Sequence, residues 1–111
     1  METTNSSEIW AEPLPQQLLE AIVVLSENGA LPAFLRDVLT EKEIYEIAAR
    51  FEAAKLLSSG ASYDVIQART KLSTRTIARI SLWLKQGAGG YNAALESLSI
   101  SHSHISPARA E

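Results

Sequence analysis

The sequence predicts an all-α fold built around a helix-turn-helix. Three observations carry that prediction. Apolar residues recur at three- and four-residue spacing through most of the chain. Helix-starting and helix-stopping residues punctuate those stretches. No stretch alternates β-branched and polar residues as a half-buried strand would. The 111 residues amount to one domain, and a content of 46% hydrophobic and 21% charged residues is globular rather than disordered.

Residues 1–12 read as a flexible arm, polar apart from Ile9 and Trp10, with Trp10 a candidate anchor. The first helix runs from Pro13 or Pro15 to Asn28, because proline suits a helix start where its missing N–H would be unpaired anyway. Leu14, Leu18, Ile22 and Leu25 form one stripe, which Leu19 and Val23 widen. So broad a stripe suggests burial on more than one side, with a second subunit as one of the covers. Asn28-Gly29 supplies the stop. A short helix follows over Pro32–Leu39, with Phe34, Leu35, Val38 and Leu39 apolar.

Thr40-Glu41-Lys42-Glu43 is a capping box, in which Thr40 caps the next helix and Glu43 reaches back. That helix extends to about Ser59, with Ile44, Ile47, Ala48, Phe51 and Ala54 as its inner face and Leu56 and Leu57 closing it. Gly60 is placed to end it in the left-handed conformation. After the reading unit described below, Gln86–Gly90 holds three glycines and makes a turn or hinge. It lacks the GxGxxG and GxxxxGK[ST] spacings of phosphate loops. Tyr91–Ser99 forms a last short helix, so the helical domain spans 13–99 and residues 100–111 read as a flexible tail.

Ser62–Lys85 is the reading unit. Ser62 caps a first helix through Val65, Ile66 and Arg69; Thr70-Lys71-Leu72 makes the turn; Ser73 caps the second helix. In the second helix Ile77, Ile80 and Leu84 recur at i, i+3, i+7 and form the inward stripe. Arg75, Ala78, Arg79 and Leu82 fall on the opposite side, with Thr74 and Thr76 nearer the flanks. Two guanidiniums, two hydroxyls and a small alanine on one surface suit a DNA groove. The candidate DNA-contacting set is therefore Arg69, Lys71, Ser73, Thr74, Arg75, Thr76, Ala78, Arg79 and Lys85. Arg69, Lys71 and Lys85 are assigned to phosphate rather than bases. Leu82 and Trp83 read as subunit or core contacts.

A net charge of −3 looks unfavourable for DNA, but its distribution is not uniform. Residues 1–59 hold 4 Lys/Arg against 10 Asp/Glu, a net −6. Residues 60–90 hold 5 Lys/Arg against Asp64 alone, a net +4, and residues 91–111 contribute −1. The local field at a surface governs phosphate affinity more than the global sum does. Charge alone is equally compatible with a solvated helix face.

Other chemistries find little support. The absence of cysteine excludes disulfides, thiolate metal sites and cysteine nucleophiles. His102-x-His104 lacks companion metal ligands, and Glu41, Glu43, Glu46 and Glu52 are helix-face and capping charges without an acid/base pairing. The expectation is a non-enzyme with no cofactor. No apolar run approaches the roughly 18 residues of a spanning helix, and no basic-then-apolar leader opens the chain, so no membrane partner and a cytoplasmic location are expected.

The order Val38-Leu39-Thr40-Glu41-Lys42-Glu43, Arg50-Phe51, Leu56-Leu57, Gly60 and Thr76-Ile77-Ala78-Arg79 resembles the Trp-repressor superfamily across Leu31–Leu95. The Gly87–Tyr91 segment is similar to its smaller YerC/YecD-type branch. The resemblance implies an intertwined homodimer whose two reading helices enter successive major grooves of double-stranded DNA, about 34 Å apart. It also implies that Arg50 and Arg79 match two arginines that flank tryptophan in tryptophan-sensing members. Where those members need a Gly and a Ser to admit the ligand, this chain has Ile80 and Trp83, so no tryptophan corepressor is expected. Two further departures concern the turn. Lys71 stands where glycine is frequent, and Gln67 stands where a small residue often packs, which predicts a looser or differently shaped turn. Two functional readings follow: a repressor-like, sequence-specific DNA-binding regulator, or a dimeric helical interaction module that has lost DNA binding.

Overall fold

The computed structural model describes the backbone of residues 6–109 and the side chains of residues 8–99. It is all-helical, with no strand among the described residues: α1 (Ser6–Ile9), α2 (Pro13–Asn28), α3 (Leu31–Val38), α4 (Glu41–Ser58), α5 (Tyr63–Thr70), α6 (Thr74–Gln86) and α7 (Gly90–Arg109). The chain divides into two compact units, Met1–Ile44 and Tyr45–Glu111.

In the first unit, α2 begins with Pro13 at its first position and ends at Gly29, whose φ of 83° is the left-handed stop expected there. α3 packs against α2 and ends where the Leu39 N–H donates to the Leu35 carbonyl at 2.9 Å. Arg36 then ties the end of α3 to the start of α4, donating to the Leu39 carbonyl at 3.0 Å and lying 3.6 Å from the Glu41 carboxylate. The predicted capping box is present. The Glu43 N–H donates to Thr40 Oγ1 at 3.1 Å, and the Thr40 N–H donates to Glu43 Oε1 at 2.9 Å. Along α2 the widened stripe is only partly enclosed: Leu14 is 78% exposed, Leu18, Leu19 and Val23 are exposed, and Ile22 and Leu25 are half-buried; Val24, beside the stripe, is exposed as well.

The second unit holds the described core. Ala53 and Ala54 of α4, Ile66 of α5, and Ile77 and Ile80 of α6 are buried together. Leu56, Leu57, Ala61, Leu72, Leu84 and Tyr91 pack around them. α4 ends in a Schellman arrangement, with the Ala61 N–H on the Leu56 carbonyl at 3.0 Å and the Gly60 N–H on the Leu57 carbonyl at 3.1 Å. Gly60 takes a φ of 90° to close it. A glycine there turns the chain straight into the cap of α5.

Three features differ from the sequence expectation. The inner face predicted for the long helix is only partly inner: Ile47 is 51% exposed and Ala48 is exposed, while Ala53 and Ala54 take the buried positions. Helical periodicity identifies an apolar face but not what covers it. Within the predicted N-terminal arm, Ser6–Ile9 forms one helical turn, closed by the Ala11 N–H on the Glu8 carbonyl at 3.2 Å. A four-residue turn is too short for periodicity to register. The last helix does not stop at Ser99 but continues through Arg109, across most of the predicted tail. Ile, Ser and His each cost well under about 1 kcal/mol in a helix relative to Ala, so nothing between Ser99 and Ser106 forces an end, and Pro107 falls only in the last turn of α7. Residues 1–5 of the arm and 110–111 of the tail lie outside the described residues, as do the side chains of His102 and His104.

Candidate nucleic-acid interface

The helix-turn-helix forms at the predicted positions. Ser62 sits at φ −75°, ψ 160°, and its Oγ accepts the Val65 N–H at 3.2 Å, which opens α5. α5 runs one residue further than the sequence suggests, through Thr70. The turn itself contains Lys71 at φ 65°, ψ 12°, in the left-handed region that the sequence assigns to a glycine-favouring position. The lysine adopts the turn rather than altering it. The Lys71 N–H donates to the Gln67 carbonyl at 2.8 Å. Thr70 reinforces the turn from within, donating to the Ile66 carbonyl at 2.7 Å and accepting the Leu72 N–H at 3.2 Å through the same oxygen. Leu72 packs on the core and anchors the turn from below.

Ser73 caps α6 with its Oγ, which accepts the Thr76 N–H at 3.1 Å and bonds the Thr76 hydroxyl at 3.1 Å. From there the helical period sorts the side chains. Ile77 and Ile80 enter the core and Leu84 is half-buried, as the inward stripe predicts. Thr74, Arg75, Ala78, Arg79 and Leu82 are exposed on the other side, and Thr76 is half-buried beside its cap. Arg75 and Arg79 stand four residues apart, a rise of roughly 6 Å along the axis. Lys71 at the turn and Lys85 in the last turn are also exposed.

The cations are not equivalent. Among the described residues, Lys71, Arg75, Arg79 and Lys85 enter no ion pair, whereas Arg69 lies 3.6 Å from the Glu52 carboxylate of α4. That pairing joins residues 17 positions apart, beyond the reach of any spacing rule for a single helix. A second contact also escapes sequence reading. Asn92 of α7 donates from Nδ2 to the Leu84 carbonyl at 2.8 Å and so caps the C-terminal end of α6. Gly87 permits the junction between the two helices, because a Cβ there would lie 2.5 Å from the Trp83 carbonyl oxygen.

The two bulky residues behave differently. Ile80 is a buried core member, so its volume belongs to the packing of α6 on α4 and α5. Trp83 is 50% exposed, neither a core residue of the single chain nor an enclosed filler. Arg50, like Arg79, is exposed.

A family model described as Trp repressor protein matches residues 15–99, a span that holds both helices of the reading unit and the long helix before them. The chain belongs to the Trp repressor family. Within that family it is of the YerC-like branch, since it is 35% identical to the uncharacterized protein YerC of Bacillus subtilis (strain 168) over 80 residues, 72% of this chain and 77% of that one. The crystal structure of a TrpR-like protein from Eubacterium eligens ATCC 27750 has the same fold. It superposes with a TM-score of 0.75 at 34% identity and covers 83% of this chain and 95% of its own. The Trp repressor family is a regulatory, DNA-binding helix-turn-helix fold. No helix among the described residues is long and apolar enough to cross a membrane, and they contain no metal-holding cluster.

Proposed function

We propose that the protein is a sequence-specific, repressor-like transcriptional regulator that binds double-stranded DNA as a homodimer, in the cytoplasm and without tryptophan. The observation that carries this reading is the outer face of α6. It presents Thr74, Arg75, Ala78 and Arg79 to solvent, with both guanidiniums unpaired among the described residues. Arg75 and Arg79 are suited to guanine edges or phosphate, and Ala78 lets the helix approach a groove wall. Lys71 and Lys85 flank that face and are assigned to phosphate; Ser73, Thr74 and Thr76 offer hydroxyls at its leading end. The homodimer is supported by the apolar side chains that a single chain leaves open on α2 and on the first half of α4. The absence of a tryptophan response is supported by Ile80, which occupies core volume where a glycine would leave space.

The acidic first half of the chain favours a second reading, a dimeric helical module that engages protein rather than DNA. Selection from a random-sequence duplex library, followed by titration at two salt concentrations, separates the two. A regulator enriches a palindrome whose half-sites lie about one helical turn apart and loses affinity steeply with salt. A protein-binding module enriches nothing and shows no salt-dependent DNA binding.

A further inference from the structure

Glu52 is the acidic residue that meets the helix-turn-helix among the described residues. Its side chain is only 27% exposed and follows directly on the α4 backbone that leads into buried Ala53 and Ala54. Its two carboxylate oxygens are divided between two cations, Oε1 lying 3.3 Å from Lys55 Nζ and Oε2 lying 3.6 Å from Arg69 Nη2. Arg69 itself, on the last turn of α5, is 65% exposed, and its backbone leads into the Thr70–Lys71 turn. A phosphate approaching this guanidinium therefore meets a carboxylate already beside it. The other four cations of the unit have no acidic neighbour of this kind among the described residues.

We propose that Glu52 is a positioning residue that holds Arg69 off the DNA backbone, so that binding depends on α6 rather than on non-selective attraction to phosphate. The proposal presupposes the DNA-binding reading above. It makes one of the five cations of the motif electrostatically silent toward DNA in the native protein. Replacing the carboxylate by its neutral isostere releases Arg69 together with Lys55; release of Arg69 raises affinity for any duplex at the expense of discrimination, and the double variant, which frees Lys55 alone, isolates the Arg69 share.

The test is the slope of log K against log salt for full-length wild type, Glu52→Gln, Arg69→Gln and the double variant. A random-sequence duplex of defined length is the probe, and circular dichroism melts accompany each variant. Each phosphate neutralised contributes about −0.9 to the slope. Glu52→Gln is expected to steepen it by about that amount, adding roughly a threefold further loss of affinity between 50 and 200 mM salt. Arg69→Gln is expected to keep the wild-type slope, and the double variant to match Arg69→Gln. An Arg69→Gln slope shallower by one phosphate, or a Glu52→Gln slope equal to wild type, overturns the proposal while leaving DNA binding intact. Loss of salt-dependent binding in the wild type itself overturns the DNA reading and this inference together. A merely structural role for Glu52 would lower the melting temperature without moving the slope.

Discussion

The Lys71 N–H donates to the Gln67 carbonyl at 2.8 Å while Lys71 itself holds a φ of 65°. This one bond closes α5 and aims the chain into α6, and it does so with a side chain in a region that costs a non-glycine residue roughly 1 kcal/mol. Lys71 is the only non-glycine residue with positive φ among the described residues.

Lys71→Gly separates strain from charge. The variant is expected to gain about 0.5–1 kcal/mol in urea denaturation, because glycine enters the left-handed region freely. The same variant should lose about one phosphate's worth of salt slope in DNA titrations. A loss of stability would show that the lysine side chain makes a contact the turn requires.

Thr70 tests how the turn is held. Its hydroxyl is both donor to Ile66 and acceptor from Leu72 in a part-buried setting. Thr70→Val keeps the shape, removes both bonds and leaves the Leu72 N–H without its partner, so a cost of about 1–3 kcal/mol is expected. Equal stability of variant and wild type in chemical denaturation would mean that water replaces the hydroxyl.

The glycines after α6 should respond differently to a methyl group. At Gly87 an added Cβ would meet the Trp83 carbonyl oxygen at 2.5 Å, whereas at Gly90 it would meet nothing within 4 Å. Gly87→Ala should therefore cost about 1–3 kcal/mol through displaced backbone. Gly90→Ala, at the first position of α7, should be neutral or slightly stabilising. Paired thermal melts of the two variants check this, and similar losses in both would show that the junction needs flexibility rather than space.

L-Tryptophan should act as a bystander. With Ile80 in the core, millimolar tryptophan is expected to leave both the melting temperature and DNA affinity unchanged. A ligand that bound the folded state at 100 times its dissociation constant would add about 2.7 kcal/mol of stability. A tryptophan-dependent rise in melting temperature would contradict the reading of this site.

Much of the helix-turn-helix can be read in the residues themselves because its signals are local. Ser62 and Ser73 cap the helices predicted for them, Gly60 and Gly29 take the left-handed stops, and Thr40 and Glu43 exchange the two bonds of a capping box. Ile77 and Ile80 point inward because a period of 3.6 residues leaves them no other side once Arg75 and Arg79 face water. The features that could not be read are those set by distant parts of the chain. Glu52 meets Arg69, and Asn92 caps α6 at Leu84, only because the fold brings their helices together. Ile47 and Leu14 belong to apolar faces whose cover no single-chain pattern specifies. The continuation of α7 past Ser99 reflects weak propensities that neither extend nor stop a helix by themselves.

Under the proposed function, α6 reads DNA through its outer arginines Arg75 and Arg79. The most direct measurement is a titration of wild type, Arg75→Ala and Arg79→Ala against the duplex obtained by selection, at 50 and 200 mM salt. Each substitution is expected to weaken binding by about 1–3 kcal/mol and to relax selectivity at the base pair it reads. Unchanged affinity and selectivity in both variants would contradict that function.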